Sequence, residues 1–364
     1  MFKDSVVLIT GGTGSWGQEL TRQLLTNHKI KEIRIYSRGE HKQVEMKRKF
    51  QDKRIKYFIG DIRDRERVNV AVYGVDYIFH LAALKHVPVC EENPWEAVQT
   101  NIIGIQNIIE SAIEHRVKKV IDVSTDKAVD PFNLYGVSKA CGEKMTIAGN
   151  RVDHTQFLCV RGGNVLGTNG SVIPLFREQI LKLNEVTITD DRMTRFLMRL
   201  EEAIGLLLFA SINSHGGEVF VMKMPACRIS DLAEVMILEL GNNKTRIRKI
   251  GIRPGEKLYE VLVSKYEMPR TFEIDNYFVI LPQIKLEGTE KFYKDKQNFS
   301  CQFEEFSSNN THILSKKEIK NLLVKDGWLK SDINNEATSY LRSLKKEDLE
   351  KFFESEGWTK NNKR

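Results

Sequence analysis

A glycine-rich turn at residues 10–17 constrains the fold of this chain more than any other feature. It follows the short apolar run 5–10 and precedes a stretch with helical spacing at 18–25. Apolar runs and helical stretches keep alternating after it, and we predict a helix at 98–114 and strands at 32–36, 55–59, 77–81, 119–124 and 156–161. Such alternation predicts a parallel sheet covered by helices on both faces.

The pattern becomes mixed beyond the loop 162–170, where a helix is predicted at 197–210 and a strand that returns to the main sheet at 218–222. The predicted fold class is therefore α/β, a doubly wound parallel sheet with a smaller mixed α/β domain. We assign 1–164 and about 196–222 to the sheet domain, 165–195 and 223–330 to the smaller domain, and 331–364 to a C-terminal helical extension.

Composition excludes several classes of function. Of the 364 residues, 41% are apolar and 29% charged, as in an ordinary soluble protein, and no run approaches the ~20 apolar residues of a membrane span. No signal peptide is visible, and five scattered cysteines without metal-binding spacing indicate reduced thiols, so we expect a cytoplasmic protein without a metal site. The net charge of +7 is spread along the chain, so nucleic-acid binding is not expected.

Glycines at positions 11, 14 and 17 indicate a site for a dinucleotide. A glycine-rich turn between a strand and a helix lets backbone N–H groups and the helix N-terminus approach a pyrophosphate. Because the motif stands between strand and helix, we favour this interpretation over a tight turn without a ligand.

The residues after the second and third predicted strands bear on the identity of that dinucleotide. Ser37 and Arg38, with Lys42 nearby, suit a 2′-phosphate, which favours NADP over NAD, while Glu40 keeps NAD open. Asp61 would accept from the adenine amine or cap the next helix. Ala82 is small enough to let a cofactor pass closely.

Tyr135 and Lys139 stand four residues apart, so on a helix they share one face with Cβ atoms ~5–6 Å apart. An ammonium beside a phenol favours the phenolate of a group whose ordinary pKa is ~10, which makes a usable base. The alternative is an ordinary helical pair.

Asp126 and Lys127 lie nine and eight residues before Tyr135, at the end of a predicted strand. A redox step needs only the tyrosine and its lysine, so the additional carboxyl group and amine indicate a second reaction, an elimination. The alternatives are a turn cap for Asp126 and a solvent-facing loop lysine for Lys127.

These motifs together resemble the extended short-chain dehydrogenase/reductases, and more closely the UDP-N-acetylglucosamine 4,6-dehydratases of the 5-inverting, pseudaminic acid type. The segments that carry the resemblance are 10–17, 36–43, 82–88, 124–128, 133–139, 163–174, 191–196 and 251–258. Retaining relatives often carry Met at the position of Tyr135, so the tyrosine favours the inverting branch. The resemblance implies a Rossmann-type sheet that binds the cofactor and a smaller domain that binds the substrate.

The resemblance implies an internal oxidation, elimination and reduction of UDP-N-acetylglucosamine for surface glycan or nonulosonic acid biosynthesis. Tyr135 takes the C4 hydroxyl proton while hydride leaves C4, and Lys139 holds the ribose. Lys127 then removes the C5 proton as an amine, Asp126 protonates the departing C6 hydroxyl, and hydride returns to C6.

The resemblance also implies contacts with the ligands. For the cofactor these are Gly11, Thr13, Gly14, Ser15, Trp16, Gly17, Ser37, Arg38, Lys42, Asp61, Ile62, Ala82, Tyr135 and Lys139. For the UDP-sugar they are Lys85, Thr125, Asn164, Val165, Val172, Arg195, Arg253 and Glu256. Lys85 could equally lie on the surface, Thr125 could merely finish its strand, and Arg195 could form a structural ion pair.

Two other functions remain open at this stage. A UDP-sugar 4-epimerase or reductase on the same fold would return hydride to C4 and would not need the Asp-Lys pair. A non-catalytic NADP-binding sensor would not need the intact Tyr135 and Lys139. We also expect a homo-oligomer.

Overall fold

The structure is a computed structural model that describes residues 1–152, 154–168, 170–286, 288–294 and 304–329. The chain divides into two compact units. The first, here called the sheet unit, comprises 1–162, 200–223 and 261–306; the second, the smaller unit, comprises 163–199, 224–260 and the described residues from 307 onward.

The strands of both units are short. They are β1 (Val6–Thr10), β2 (Glu32–Ser37), β3 (Ile55–Ile59), β4 (Tyr77–His80), β5 (Lys119–Thr125), β6 (Gln156–Gly162), β7 (Asn164–Val165), β8 (Glu185–Ile188), β9 (Thr194–Met198), β10 (Val219–Met222), β11 (Ala226–Arg228), β12 (Arg246–Lys249), β13 (Val261–Val263), β14 (Thr271–Ile274), β15 (Tyr277–Ile280) and β16 (Phe306–Ser307).

The helices are α1 (Ser15–Asn27), α2 (Glu40–Phe50), α3 (Arg65–Val72), α4 (Val87–Glu92), α5 (Pro94–Val98), α6 (Gly104–Glu114), α7 (Leu134–Ala148), α8 (Val172–Leu183), α9 (Leu200–Asn213), α10 (Ile229–Leu240), α11 (Thr289–Lys294) and α12 (Lys316–Lys325). A π-helical segment, Gln99–Ile103, joins α5 to α6, and 3₁₀ turns lie at Asp126–Ala128, Gly149–Arg151 and Met268–Arg270.

A nine-stranded sheet in the order β14-β15-β10-β6-β5-β4-β1-β2-β3 forms the sheet unit. From β3 to β10 all neighbouring strands are parallel, and the order places β1 beside β4, as in a doubly wound dinucleotide-binding sheet. Every residue of β1 and β4 is buried, since such a sheet is covered on both faces. The predicted α/β fold with a parallel sheet is confirmed.

Two groups of helices cover the sheet. Helices α1 and α9 pack against each other, and α3, α6 and α7 form a second group. The second group shares an apolar core with the strands, which includes Leu8, Ile78, Ile105, Ile108 and Phe157. This packing fixes the carboxyl ends of β1, β4 and β5, where the candidate functional residues lie.

The smaller unit contains a three-stranded sheet, β11-β9-β7, and a parallel pair, β12-β8. Helices α8, α10 and α12 pack on these strands around a core that includes Phe176, Val186, Leu232, Met236 and Ile319. Strand β7 comes from the loop 162–170, so part of that loop is held by pairing with β9.

Some sequence predictions need correction. The helix predicted at 197–210 begins at Leu200, because residues 194–198 form β9. The helix predicted at 98–114 contains the π-helical segment. Residues 261–306 belong to the sheet unit and not to the smaller domain assigned at 223–330, because the β14–β15 hairpin extends the large sheet by antiparallel pairing with β10. The extension 331–364 lies outside the described residues.

Within the described part of the chain, no helix is both long and apolar enough to cross a membrane.

Candidate active site

Strand β5 ends in a turn that carries the Asp-Lys pair. The Thr125 hydroxyl caps this 3₁₀ turn by accepting from the backbone N–H of Lys127 at 3.3 Å, and it donates to Oδ1 of Asp126 at 2.9 Å. Lys127 Nζ donates to the same Oδ1 at 3.0 Å. The Asp126 side chain is 1% exposed and that of Lys127 27%. Thr125, and not Asp126, is therefore the cap of the turn.

The second carboxylate oxygen of Asp126 has unused hydrogen-bonding capacity. Oδ2 is buried and has no hydrogen-bond partner among the described residues. Buried polar atoms are nearly always satisfied, so an orphaned oxygen in a native site calls for an explanation such as a bound group.

Helix α7 carries Tyr135 in its first turn. The side chain of Asn133 caps the helix by accepting from the backbone N–H of Gly136 at 2.8 Å. A Cβ on Gly136 would lie far inside contact distance of the Lys127 carbonyl oxygen. The helix and the Asp-Lys turn can pack this closely only because residue 136 is glycine.

The Tyr135 phenol interacts with Lys139, Lys127, Thr125 and Asp126. Burial is the largest influence and raises the pKa of Tyr135 above its ordinary value, although Lys139, Lys127 and a hydrogen bond with Thr125 oppose it. Lys139 thus favours the phenolate, as expected from the spacing, but burial outweighs this influence in the chain without ligands.

Lys139 has a partner that the sequence analysis missed. Its Nζ lies 3.3 Å from each carboxylate oxygen of Asp122 on β5, and both side chains are buried. Burial acts to lower the pKa of Lys139, but the charge of Asp122 outweighs it and the pKa is raised. The amine is therefore held as an ammonium. The sequence feature that could have revealed this partner is the carboxylate of Asp122 within the otherwise largely apolar predicted strand 119–124.

The glycine turn forms a cradle that fits a dinucleotide pyrophosphate. Gly11 has a left-handed φ of 64°, and a Cβ there would meet Ala82 Cα at 3.0 Å. A Cβ on Gly17 would overlap the backbone of Gly12. Helix α1 begins after Gly14, and no side chain of the described residues caps it, so its first N–H groups can receive an anion. Thr13, Ser15 and Trp16 complete this turn and the start of the helix.

The residues after β2 and β3 are held by hydrogen bonds and ion pairs. Ser37 Oγ accepts from Gln43 at 3.0 Å, and the exposed Arg38 guanidinium lies 3.9 Å from Asp61. Partial burial opposes the shift, but hydrogen bonds from Arg63 hold the pKa of Asp61 below its ordinary value. Asp61 does not cap α3, because Asp64 does.

Lys42 and Ile62 lie in contrasting surroundings. Lys42 is an exposed residue in the first turn of α2. The Ile62 side chain is buried in the core, and its carbonyl oxygen accepts from Asn107 at 2.8 Å. The side chain of Ile62 is therefore not available to a cofactor. The predicted contact stays a prediction, and it would have to involve the backbone of Ile62.

The loop after β4 carries Ala82 and Lys85, and the π-helical segment holds it in place. Asn101 in that segment accepts from Leu84 N–H at 2.9 Å and donates to the Leu84 carbonyl at 2.9 Å. It also donates to the Ser138 hydroxyl on α7 at 2.9 Å. Asn101 thus ties this loop to the helix of Tyr135, a role that sequence reasoning missed. Lys85 is an exposed residue, in line with the surface alternative stated for it, although partial burial of its amine lowers its pKa.

In the smaller unit, three predicted substrate residues lie on β7 and at the start of α8. Asn164 and Val165 form β7 and pair in parallel with Leu197 and Met198 of β9. The Val165 carbonyl oxygen accepts from Thr168 at 3.2 Å. Val172 is the first residue of α8. Their contacts with a substrate remain predictions.

Arg195 and Arg253, also in the smaller unit, differ in what they bind. Arg195 is buried, donates to the carbonyl oxygens of Thr194 and Lys257 at 2.8 and 2.9 Å, and lies 3.6 Å from Glu260. These contacts match the structural alternative stated for it. Arg253 lies 3.8 Å from Glu256, its expected neighbour in nucleotide binding, and burial lowers the pKa of its guanidinium.

Residues 7–282 match the model of a family described as polysaccharide biosynthesis protein. The chain belongs to this family. The inverting UDP-N-acetylglucosamine 4,6-dehydratase of Campylobacter jejuni subsp. jejuni serotype O:23/36 (strain 81-176) is 43% identical over 337 residues, which cover 89% of this chain and 98% of that protein. The resemblance stated from the motifs is thereby confirmed.

Other members of the family carry another name. The UDP-glucose 4-epimerase of Rickettsia bellii (strain RML369-C) is also 43% identical, over 345 residues that cover 92% of this chain and all of that protein. Among solved structures, the X-ray structure of Pen from Bacillus thuringiensis matches with a TM-score of 0.83 and 40% identity, covering 91% of this chain and 100% of that chain. Similarity of sequence therefore shows the family but does not separate dehydration from epimerisation.

Proposed function

We propose that the protein catalyses the NADP-dependent 4,6-dehydration of UDP-N-acetylglucosamine with inversion at C5. The observation that carries this proposal is the Asp126–Lys127 pair beside the Tyr135 phenol. A carboxyl group and an amine next to a redox tyrosine supply the acid and the base of an elimination, which epimerisation at C4 does not require.

For the oxidation, a nicotinamide dinucleotide held at the glycine cradle would supply reversible hydride acceptance, from C4 and back to C6. Tyr135 takes the proton of the C4 hydroxyl. Burial holds the phenol in its protonated form, so proton removal depends on the cations Lys139 and Lys127, whose influence on its pKa is downward. A hydrogen bond between Thr125 and the phenol fixes the position of the phenol oxygen.

For the elimination, Lys127 removes the C5 proton and Asp126 protonates the departing C6 hydroxyl. After hydride has returned to C6, a proton delivered to C5 on the opposite ring face completes the product with inverted configuration. These roles require a neutral amine and a protonated carboxyl group. The two groups are already hydrogen-bonded at 3.0 Å, so a shift of one proton converts the ion pair into the neutral pair with no change in total charge. A substrate that excludes water disfavours the separated charges and thereby favours the reactive form.

For the cofactor, the glycine cradle supports a dinucleotide, and Arg38 with Lys42 supports NADP over NAD. A guanidinium next to the adenosine ribose can donate two parallel hydrogen bonds to a 2′-phosphate. The carboxylate of Asp61, near Arg38, is the group that would favour NAD by accepting from the ribose hydroxyls. It already forms an ion pair with Arg63, with 2.7 Å between Asp61 Oδ2 and an Arg63 guanidinium nitrogen.

For the substrate, we assign the UDP group to residues of the smaller unit. Arg253 would neutralise the diphosphate, Glu256 would accept from the ribose diol, and Asn164, Val165 and Val172 would line the nucleotide. Lys85 and Thr125 would contact the sugar.

The second candidate function is a UDP-sugar 4-epimerase, favoured by the identity to the Rickettsia proteins of that name. The experiment that separates the two is incubation with UDP-N-acetylglucosamine and a catalytic amount of NADP, followed by mass spectrometry. Dehydration gives a product lighter by one water, whereas an epimer has the mass of the substrate. A product of unchanged mass would refute the dehydratase assignment, and absence of any product would favour the non-catalytic sensor.

A further inference from the structure

A row of polar residues crosses the sheet beneath the candidate site. In the registers of β1 with β4, β4 with β5 and β5 with β6, Thr10 pairs with His80, His80 with Asp122 and Asp122 with Cys159. Partners in a parallel sheet point to the same face, so these four side chains share one side. Lys139 of α7 meets this row at Asp122.

The Asp122–Lys139 pair is almost completely removed from water. The exposed fraction is 0% for the Asp122 side chain and 4% for Lys139, and both carboxylate oxygens lie 3.3 Å from Nζ. An ammonium in such surroundings is stable only if a carboxylate compensates it. The geometry provides that compensation from directly below the amine.

His80 does not compete for that role, because its surroundings keep it neutral. The Thr10 hydroxyl accepts from the N–H groups of Leu81 and Ala82 at 3.1 and 3.3 Å, so its own proton is donated to Nδ1 of His80 at 2.8 Å. Burial, together with the charge of Lys139, lowers the pKa of His80 to about 3. The ring therefore accepts at Nδ1 and carries no charge.

The other titratable groups near the pair add no second counter-charge. Burial raises the pKa of the Cys159 thiol well above its ordinary value, and it raises that of the Tyr135 phenol, so both are neutral. Glu143 of α7 forms two hydrogen bonds with Arg161, at 2.8 and 2.7 Å. Burial raises the pKa of the Asp122 carboxyl, and the charge and hydrogen bond of Lys139 oppose that shift. Among the described groups that face Lys139, namely Asp122, His80, Cys159 and Tyr135, Asp122 is the one that forms an ion pair with it.

We propose that Asp122 is a positioning residue for the oxidation step, because it holds the Lys139 ammonium charged and in place beside the Tyr135 phenol. The inference rests on the proposed function. Without the carboxylate, the buried amine would release its proton at a lower pH, and the phenolate would lose its nearest stabilising charge. The oxidation rate of a variant without the Asp122 carboxylate would then fall as pH rises. The native enzyme would keep the Lys139 ammonium, and therefore its rate, over the same pH range.

The test compares the pH profiles of kcat for the native protein, Asp122→Asn and Asp122→Glu. Asparagine keeps the shape and a hydrogen-bond acceptor but removes the charge. We expect the ratio of Asp122→Asn to native kcat to fall at least about ten-fold between about pH 6.5 and pH 9, which requires the pKa of Lys139 in the variant to fall to about 8 or below. Asp122→Glu keeps the charge, so its rate should be lower but its ratio should stay constant over this range.

Cys159→Ala is the matched control, because it alters the packing of the same row without changing its charge. It should keep the native profile. A constant Asp122→Asn ratio across the pH range would overturn the proposal. Should Asp122→Asn not fold, Asp122→Glu decides: a lower rate with a constant ratio supports the role, and a native rate or a changed ratio contradicts it. Failure of the native protein to dehydrate the substrate would instead refute the proposed function.

Discussion

The backbone carbonyl oxygen of Lys127 lies directly against the Cα of Gly136, so the turn of the Asp-Lys pair and the helix of Tyr135 meet without any side chain between them. This contact sets the distance between the Asp126–Lys127 pair and the Tyr135 phenol. It joins a turn that follows β5 to the first turn of α7.

Gly136→Ala should disrupt the site while the fold persists. The added methyl group would overlap the Lys127 carbonyl and displace the Asp-Lys turn, so we expect kcat to fall about 100-fold or more, since small misplacements of catalytic groups cost rates of this order. Gly142→Ala on the same helix is the control, because its Cβ would meet the Asn101 carbonyl at 3.4 Å, an ordinary contact. Equal activity of the two variants, measured by steady-state kinetics, would contradict this view.

Lys127→Met should block elimination and slow the oxidation without preventing it, because Lys139 still lies beside the phenol. We expect the yield of dehydrated product to fall about 10²–10⁴-fold, the usual contribution of a general base. In a single turnover, the near-ultraviolet absorbance of reduced nicotinamide should rise and persist. Lys144→Met on α7, whose native amine contacts Gln283, is the control and should behave as native. If Lys127→Met instead fails to bind NADP, the lysine is structural.

The rate should depend on the ionisation of Tyr135. Because burial raises the pKa of this phenol, the free enzyme is protonated near neutrality, and only the small phenolate fraction can accept the C4 proton. We therefore expect kcat/KM to rise about ten-fold per pH unit from neutral toward alkaline pH. Tyr135→Phe should abolish turnover at every pH. A flat kcat/KM profile for the native protein would argue against this base.

His80 should make the fold sensitive to acid. Its pKa falls from 6.5 in the unfolded chain to about 3 in the folded protein, so the stabilisation is complete above pH 6.5 and is lost as pH falls toward 3. Between about pH 7 and pH 5 the native protein should lose about 2 kcal/mol more unfolding free energy than His80→Asn. Urea unfolding of both proteins at the two pH values measures the difference. The same loss in both would exclude His80 as the source.

Arg38→Ala should change the choice of cofactor. Loss of the guanidinium should weaken NADP binding about ten-fold or more and leave NAD binding nearly unchanged, as expected for a charge-assisted phosphate contact. Arg48→Ala removes one exposed positive charge elsewhere on α2 and controls for net charge. Isothermal titration with each cofactor gives the two affinities. A parallel loss for NADP and NAD would mean that Arg38 does not contact a 2′-phosphate.

Local sequence signals predicted much of the sheet unit. The apolar runs of β1 to β6 and the glycine turn have strong periodicity, and the boundaries of β3 agree with the prediction residue for residue. The hairpin β14–β15 has strands of only four residues, and its place in the sheet depends on pairing with β10, far away in sequence. Such pairing leaves no local signal, which is why 261–306 was assigned to the wrong unit.

Within the candidate site, too, local sequence signals were informative and long-range contacts were not. Spacing alone brought Tyr135, Lys139, Asp126 and Lys127 together, because all four lie on one strand–turn–helix segment. It did not reveal that burial would dominate the pKa of Tyr135 or that Asp122 would face Lys139 across the helix–sheet packing. Those effects arise from the environment that the whole fold creates around each group.

If one site oxidises a sugar at C4 and eliminates water across C5 and C6, the product records both steps. Incubation with UDP-N-acetylglucosamine in deuterated water, followed by NMR of the product, reads them in one experiment. We expect a C6 methyl group, deuterium at C5 and inverted configuration there. A product that keeps its C6 hydroxymethyl group and its C5 proton, with only C4 epimerised, would contradict it.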